Sequence, residues 1–371
     1  MSTSDSQPLN VVVALDSFKG SISAAAAVEA FSAGWRSAAG SANLIPHPMA
    51  DGGEGTLDAF EASVAGARRM PVTVQGPAGS DVSSYWLLLP DSTGVVELGL
   101  TSGIELLGER REPWSADTRG LGEALAAALA HGVERLIVGI GSSASTDAGA
   151  GMLQALGARI LDEAGAPISS GLAGLREAVT VDLTSLTPPP RGGVIVLSDV
   201  TNPLCGAHGA AAVFGAQKGL KPEEVDEADG ILRRFADMMR LTPDTPGAGA
   251  AGGAGYALAA WGAQLTPGAY EIAELVGLRR AITHADVVVT GEGSFDGQSA
   301  AGKVPSYVAG VAQERGVPVV LVAGRVASDA PTSSFARTIS LTVLAGGTAG
   351  ALADPAHWLR EAGQLAAAPY V

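Results

Sequence analysis

Hydrophobic residues in this chain occur in short runs, each followed by a polar, glycine-containing loop and then by an alanine-rich stretch. The first run, Leu9–Leu15, is rich in β-branched residues; Asp16–Ser21 follows it, and helical composition continues to Trp35. The same order recurs, with variations, after Asn43–His47, Arg135–Val138, Gly193–Leu197 and Asp286–Val289. Strands that alternate with helices predict an α/β fold whose mainly parallel sheets are buried on both faces.

Residues 71–98 break this alternation. Three strand-like pieces lie between turn residues and predict an antiparallel meander: Val72–Val74, Ser83–Leu89 and Val95–Leu98. We therefore predict one α/β domain of residues 1–70 and 285–371, interrupted by an inserted mixed α/β domain of residues 71–284. Five strands are expected in the parallel sheet of the first domain: Val11–Leu15, Asn43–His47, Asp286–Val289, Pro318–Val322 and Thr338–Thr342. The run Gly247–Gly255 is interpreted either as a linker or as a glycine-rich loop that leads into a helix.

Composition and charge narrow the class of protein. The 371 residues carry a net charge of −15 and no cluster of basic side chains, which argues against a nucleic-acid partner. The single cysteine, Cys205, excludes an internal disulfide. The first residues lack the pattern of a secretory signal, and no apolar run approaches the ~18 residues of a membrane span, so we expect a cytoplasmic protein without a membrane partner.

Two glycine patterns suggest nucleotide chemistry. Gly139–Ala144 follows a predicted strand and fits the dinucleotide fingerprint, which favours an NAD-dependent dehydrogenase of 2-hydroxy acids as one hypothesis. Gly297–Lys303 matches most of the Walker phosphate loop, but Val304 stands where a hydroxyl should bind magnesium. Loops rich in glycine, serine and aspartate also suit a non-catalytic sensor that binds an anion.

Seven segments, taken in order, resemble those of the bacterial glycerate kinase family, of the glycerate 2-kinase type. They are Asp16–Ser21, Pro48–Thr56, Gly139–Asp147, Ser198–Leu204, Ala216–Gly219, Gly252–Gly255 and Thr290–Asp296. The resemblance implies two unlike α/β domains, one of them flavodoxin-like and discontinuous, with the active site in the cleft between them. It also implies direct in-line transfer of a phosphoryl group from ATP to D-glycerate, with Mg²⁺ as cofactor and 2-phosphoglycerate favoured over 3-phosphoglycerate as product.

Within this resemblance, the residue types suggest roles in binding glycerate and in catalysis. The chain has only four lysines, and Lys19 lies in a strand-to-helix turn where it can bind the glycerate carboxylate or the transferring phosphate. Asp51 and Glu54 are expected at the glycerate hydroxyls or at metal-bound water, with capping of the next helix as the alternative. The expected substrate-binding residues are Ser17, Lys19, Asp51, Glu54 and Lys303.

Three carboxylates are assigned to the reaction itself. Asp296 is the predicted base, and Glu292 the predicted metal ligand, because both follow a strand in a loop of three glycines. Asp199, at the end of another strand, is a second metal ligand or a base, with a turn or cap as the alternative. Asp296, Lys19 and Asp199 are thus the predicted catalytic residues.

A further loop is assigned to ATP. Its hydroxyls and glycines suit phosphate oxygens, whereas a plain polar helix entry is the alternative. The predicted nucleotide-binding residues are Gly139, Gly141, Ser142, Ser143, Ser145, Thr146, Asp147 and Lys218. The expected partners are the small molecules ATP and D-glycerate, and a homodimer is compatible with the sequence.

Overall fold

The computed structural model describes residues 8–239, 241–297 and 303–371. Residues 1–7, in which no secretory signal pattern was found, lie outside the described residues. Of the Walker-like pattern of residues 297–303, only Gly297 and Lys303 are described. The chain divides into two compact units: unit 1 comprises residues 1–51, 58–65 and 269–371, and unit 2 comprises residues 52–57 and 66–268. The predicted domain boundaries and the predicted cleft stay predictions, since compactness alone does not define an independently folding domain.

Strands and helices alternate through most of the described chain. The strands are β1 (Asn10–Leu15), β2 (Asn43–Pro46), β3 (Arg68–Gln75), β4 (Asp81–Leu88), β5 (Thr93–Glu97), β6 (Arg135–Gly139), β7 (Arg159–Leu161), β8 (Thr180–Asp182), β9 (Val194–Leu197), β10 (Gln264–Thr266), β11 (Val287–Phe295), β12 (Val319–Val326) and β13 (Arg337–Ser340).

The α-helices are α1 (Ala24–Ala38), α2 (Thr56–Ser63), α3 (Gly99–Ser102), α4 (Arg119–His131), α5 (Ala150–Ala155), α6 (Gly171–Glu177), α7 (Ala210–Phe214), α8 (Val225–Met238), α9 (Ala254–Ala260), α10 (Gly268–Leu275), α11 (Leu278–Ile282), α12 (Val304–Gln313), α13 (Leu341–Leu344), α14 (Thr348–Ala353) and α15 (Pro355–Ala367). Short 3₁₀ turns lie at Ile104–Leu107, Ala216–Lys218, Pro222–Glu224, Ala250–Gly253 and Ala368–Tyr370. Among the described residues, no helix is both long enough and apolar enough to cross a membrane.

Unit 1 is built on a five-stranded, all-parallel sheet in the order β13-β12-β11-β1-β2. The five predicted strands are thereby confirmed as one sheet, and their order is that of flavodoxin-like proteins. The runs are continuously apolar because the sheet is covered on both faces: Val11 and Val287, paired across β1 and β11, are both fully buried. On one face, α1 and α15 pack closely, and Phe31 and Leu359 contribute to the core there.

The prediction was wrong about the end of β11. A loop was expected from Thr290, but the strand continues through Gly291, Glu292 and Gly293 to Phe295 and pairs with β12 along this extension. Glycine is depleted in strands, so the composition of this segment favours a loop. Pairing with β12 overrides that preference. The pairing also requires glycine at position 291, because a side chain there would overlap the carbonyl oxygen of Val322. Glu292 is therefore held on a strand.

We expect Gly291→Ala to destabilise unit 1 by about 3 kcal/mol or more, since its methyl group would overlap backbone that belongs to the neighbouring strand. Thermal or urea unfolding of the purified variant measures the loss. Gly310→Ala is the matched control: an added Cβ meets nothing within 4 Å there, and alanine in a helix is favoured over glycine by roughly 0.5–1 kcal/mol. Equal stability of the two variants would contradict the assigned pairing of β11 with β12.

Unit 2 contains a six-stranded sheet in the order β10-β9-β6-β5-β4-β3. The predicted meander is confirmed, because β3, β4 and β5 pair antiparallel, whereas β5, β6, β9 and β10 run parallel. A separate antiparallel pair, β7 and β8, was not predicted. One parallel and one mixed sheet confirm the predicted fold class.

The glycine-rich run 247–255 is a buried loop that leads into α9, which excludes the interpretation as a linker. Gly247, Gly252 and Gly253 have positive φ angles of 83°, 66° and 94°. Residues other than glycine rarely adopt this left-handed conformation. Gly253 also packs closely on Ala148: a Cβ added to Gly253 would lie 2.6 Å from the Cα atom of Ala148. The glycines therefore permit close contact between two loops of unit 2.

Candidate functional site

A cavity of about 270 Å³ opens at the carboxyl end of the parallel sheet in unit 1. It lies where β1 and β11 are neighbours although their connections lead to opposite sides of the sheet, to β2 and β12 respectively. Open parallel sheets bind ligands at this kind of switch point. Most polar lining residues follow β1 and β2 or lie on or just after β11 and β12, whereas α13, α14 and the start of α15 contribute two threonines and several apolar side chains. The polar side chains that line the cavity are Asp16, Ser17, Lys19, Ser21, Asp51, Glu292, Ser294, Lys303, Arg325, Thr342 and Thr348.

Asp16 is the most deeply buried carboxylate of this cavity. Its N–H donates to the carbonyl of Gly291 at 2.9 Å, and its Oδ1 accepts from the N–H of Ser17 at 2.6 Å. Burial raises the pKa of Asp16 well above its usual value; the negative charges of Asp51 and Glu292 raise it further, and the Ser17 N–H and Lys19 act in the opposite direction. The Asp16 carboxyl thus binds a proton more tightly than an exposed aspartate does.

Glu292 and Lys303 form an ion pair within the cavity lining, with 3.7 Å between Oε2 and Nζ. Glu292 is buried on β11, whereas Lys303, the residue before α12, remains one-third exposed. The same cavity is lined by two further carboxylates, those of Asp16 and Asp51. Ser17 Oγ is buried without a hydrogen-bond partner among the described residues, although Ser17 belongs to the cavity lining.

The structure brings together four of the five predicted substrate residues, Ser17, Lys19, Asp51 and Lys303, as well as the predicted metal ligand Glu292. Lys19 is exposed at the turn after β1. Glu54 is also exposed, but it belongs to unit 2. Asp296, the predicted base, follows the end of β11 and is not part of the cavity lining.

Asp199, the other predicted metal ligand, belongs to unit 2, whereas Glu292 belongs to unit 1. Asp199 Oδ1 accepts a hydrogen bond of 2.9 Å from the N–H of Gly268, the first residue of α10, as a carboxylate at the start of a helix does. Within residues 8–239, 241–297 and 303–371, no group of three or more histidine, cysteine, aspartate or glutamate side chains is arranged to hold a metal ion. A joint metal site of Asp199 and Glu292 stays a prediction.

In unit 2, the predicted nucleotide-binding glycines have a clear packing role. An added Cβ at Gly141 would clash with the Cα atom of Gly53, and its N–H donates to Gly52 O at 3.0 Å. At Gly139, an added Cβ would lie 3.0 Å from Gly52 O and from Thr56 Oγ1. These contacts require glycine whether or not a nucleotide binds nearby.

Asp147 is fully enclosed in the loop between β6 and α5. Its Oδ2 accepts from the N–H and hydroxyl of Thr118 and from the N–H of Gly151, and its Oδ1 accepts from the N–H of Gly149. These four bonds satisfy donors at the start of α5 and fix the loop to the residue before α4. The geometry gives Asp147 a role in shaping the loop.

The hydroxyls of the same loop divide into two groups. Ser145 Oγ and Thr146 Oγ1 are fully buried and have no hydrogen-bond partner among the described residues. At the start of the loop, Ser142 is partly exposed, and Ser143 is buried with 8% of its surface accessible. Ser142 and Ala148 have φ angles of 59° and 50°, a conformation that residues other than glycine adopt at a cost of about 1–3 kcal/mol. The loop is thus held in a strained shape.

Lys218 is almost fully buried, with 2% of its surface exposed. Its Nζ donates to Ser143 Oγ at 2.7 Å and to the carbonyl of Ser145 at 2.6 Å. Burial lowers the pKa of Lys218 to about 7, and the negative charge of Asp147 opposes this effect. Lys218 therefore contacts the loop between β6 and α5 from the interior of unit 2.

Sequence reasoning did not select Asp16, Ser294 or Arg325, all of which line the cavity of unit 1. Asp16 lies in a recognised segment, but an aspartate directly after a strand is also a common turn residue. Its burial, which distinguishes it from a turn residue, depends on β11 and cannot be read from the local sequence. Ser294 lies in the part of β11 that was predicted to be a loop, and Arg325 lies beyond Val322, the predicted end of β12.

A cavity at the switch point of a parallel sheet, with cationic and acidic side chains on one wall, is typical of α/β enzymes that bind small anionic molecules. Residues 11–369 match the model of the glycerate kinase family. The chain belongs to the glycerate kinase family and is a kinase.

Relatives and a solved structure support this assignment. The chain is 40% identical over 330 residues to glycerate 2-kinase of Escherichia coli K12, and 41% identical over 330 residues to glycerate kinase of Bacillus subtilis 168; each alignment covers 86% of both chains. It is also similar to the "Crystal structure of putative glycerate kinase 2 from Salmonella typhimurium LT2", with a TM-score of 0.82, 36% identity and 98% of both chains covered. Membership of a kinase family sets aside both the dehydrogenase and the sensor hypotheses.

Proposed function

We propose that this protein transfers the γ-phosphoryl group of ATP to the 2-hydroxyl of D-glycerate, which yields 2-phosphoglycerate and ADP. The observation that carries the proposal is the cavity of unit 1, in which Ser17, Lys19 and Lys303 lie with the carboxylates of Asp16, Asp51 and Glu292. Cations and hydroxyls suit the glycerate carboxylate, whereas carboxylates accept hydrogen bonds from its hydroxyl groups. The names of the relatives support glycerate as the acceptor.

The transfer requires an acceptor for one proton. The glycerate oxygen forms a bond to the γ-phosphorus, the bond between that phosphorus and the β,γ-bridging oxygen breaks, and the hydroxyl proton moves to a carboxylate. We assign this carboxylate to Asp16 in place of Asp296, because Asp16 lines the cavity. Phosphoryl transfer has a loose transition state, so alignment matters more than strong basicity.

The donor set of the cavity fits Mg²⁺. This ion prefers oxygen ligands and is usually held by one or two carboxylates together with water and substrate phosphates, so a group of three protein ligands is not required. Glu292, a buried carboxylate on β11, would hold it. When bound, the ion neutralises charge on the phosphates.

Ser142 and Ser143 are the proposed donors to ATP. Localisation in the cytoplasm and assembly into a homodimer remain predictions.

Phosphorus NMR of a reaction with ATP, Mg²⁺ and D-glycerate tests this proposal, with coupled detection of ADP in parallel. We expect ADP to form only when D-glycerate is present. The product phosphorus should couple to a single proton, because C2 of 2-phosphoglycerate carries one hydrogen and C3 of 3-phosphoglycerate carries two. Coupling to two protons would overturn the assigned hydroxyl, and an absence of glycerate-dependent ADP would overturn the function. L-Glycerate is the matched control for stereochemistry.

A further inference from the structure

Lys218 lies beneath a loop whose shape its own hydrogen bonds define. The Nζ atom bonds Ser143 Oγ and the carbonyl of Ser145, two positions that are 75 and 73 residues away in sequence. The side chain is almost completely buried, so a ligand cannot reach Nζ from solvent in this conformation. Its influence on a ligand must pass through the groups that it contacts.

The contact with Ser143 has a defined direction. Lys218 Nζ donates to Ser143 Oγ at 2.7 Å, so in this geometry the Ser143 hydroxyl oxygen is the acceptor of that bond. A serine hydroxyl has one proton, and that proton must then point to a different acceptor. Ser143 is buried, with 8% of its surface accessible. The bond from Lys218 therefore leaves the Ser143 proton for donation to another acceptor.

The contact with Ser145 orients the next peptide group. In a trans peptide the carbonyl of one residue and the N–H of the next point in opposite directions. Because the Ser145 carbonyl points to Lys218, the N–H of Thr146 points away from it. The strained φ angles of Ser142 and Ala148 persist only if surrounding contacts hold them, and Lys218 supplies two such contacts between these residues.

The glycine-rich run of residues 247–255 provides room for this lysine. A Cβ at Gly252 would overlap the carbonyl oxygen of Ser145 and would lie 2.9 Å from Lys218 Nζ. The N–H of Ala148 also donates to Gly252 O at 3.0 Å. Three segments that are distant in sequence thus meet at one buried cation.

We propose that Lys218 is a positioning residue that fixes Ser143 as a hydrogen-bond donor to a phosphate group of the nucleotide. The inference rests on the proposed function, because it takes the loop after β6 as the site of ATP. It differs from direct binding of phosphate by Lys218, since the bond to the phosphate comes from the Ser143 hydroxyl.

A double-mutant cycle tests the proposal, with the KM for ATP, the KM for glycerate and direct ATP binding by calorimetry as readouts. We expect Ser143→Ala and Lys218→Met each to raise the KM and Kd for ATP about 10-fold or more, the loss typical of one charge-assisted hydrogen bond, while the KM for glycerate stays within twofold. If Lys218 acts through Ser143, the double variant is no worse than Lys218→Met alone. A purely structural role predicts effects that multiply.

Controls separate the possible failures. Lys221→Met removes an exposed lysine of the same unit and should leave all three values unchanged. Should Lys218→Met fail to fold, as seen by circular dichroism, Ser143→Ala and Ser143→Thr still decide: ATP affinity must fall with alanine and recover with threonine, which restores the hydroxyl. Unchanged ATP affinity in Ser143→Ala overturns the inference while the wild type remains active. A wild type that neither binds nor consumes ATP overturns the proposed function instead.

Discussion

Replacing Asp16 by asparagine lowers glycerate-dependent turnover by roughly 10²–10⁴-fold, the range by which a positioned acid or base contributes to catalysis. Asparagine keeps the shape of the side chain but cannot take up the hydroxyl proton. Steady-state kinetics with ATP, Mg²⁺ and D-glycerate measures the loss. Asp329→Asn, at an exposed aspartate of the same unit that does not line the cavity, is the matched control and should retain full activity.

The same substitution should stabilise the protein. The folded state binds the Asp16 proton more tightly than the unfolded chain does, so the charged form increasingly destabilises the folded state as the pH rises from 3.8 towards the raised pKa, and the full cost persists above it. Asparagine removes this cost, and we expect the Tm at pH 8 to rise by about 2–4 °C, the shift that ~1 kcal/mol produces in a domain of 150–250 residues.

Asp296→Asn decides between the two carboxylates proposed as proton acceptor. The variant with the greater loss of turnover identifies the acceptor. If Asp296→Asn is the more damaging and Asp16→Asn keeps most of its activity, the assignment from the cavity is wrong and the assignment from the sequence is restored. The pH profile provides an independent criterion, since turnover of the wild type should fall as the pH drops through the raised pKa of Asp16.

Replacing Lys19 by methionine raises the KM for D-glycerate by about 10–150-fold, the equivalent of a charged hydrogen bond of about 1.5–3 kcal/mol. Lys19 is exposed at the cavity, so folding should be unaffected. The positive charge of Lys19 also lowers the pKa of Asp16, and its removal should move the acid limb of the pH profile to higher pH.

Lys19→Arg distinguishes charge from shape. Arginine keeps the charge, so the acid limb of the pH profile should return close to its wild-type position even if the KM for glycerate does not recover. Lys221→Met controls for the loss of an exposed lysine outside the cavity. A KM for glycerate that is unchanged in Lys19→Met would remove Lys19 from the substrate site.

Most of the architecture could be predicted from the sequence, because periodicity and composition are local signals. The apolar runs that become β1 and β12 are unambiguous, and turn residues at close intervals marked the meander of β3 to β5. The end of β11 was missed because its glycines favour a loop, while the neighbouring strand that requires them is more than 20 residues away.

The site residues that lie in loops directly after predicted strands could be selected from the sequence. Lys19, Asp51 and Lys303 were selected from their glycine-rich surroundings, and all three line the cavity. Asp16 was not selected, because burial is a tertiary property. Lys218 was selected for contact with ATP on the basis of its rarity, but the sequence gives no indication that its ammonium group faces Ser143 and Ser145 inside the unit.

The pairing of β1 with β11 has a consequence for synthesis on the ribosome. Val11 and Val287 are neighbours in the sheet but are 276 residues apart in the chain. At about 5–20 residues per second, β1 emerges roughly 15–55 s before β11 exists. All residues of unit 2 emerge within that interval, since this unit ends at Gly268. Unit 1 is therefore the last of the two units to complete its sheet, and its first strands must avoid non-native partners throughout that interval.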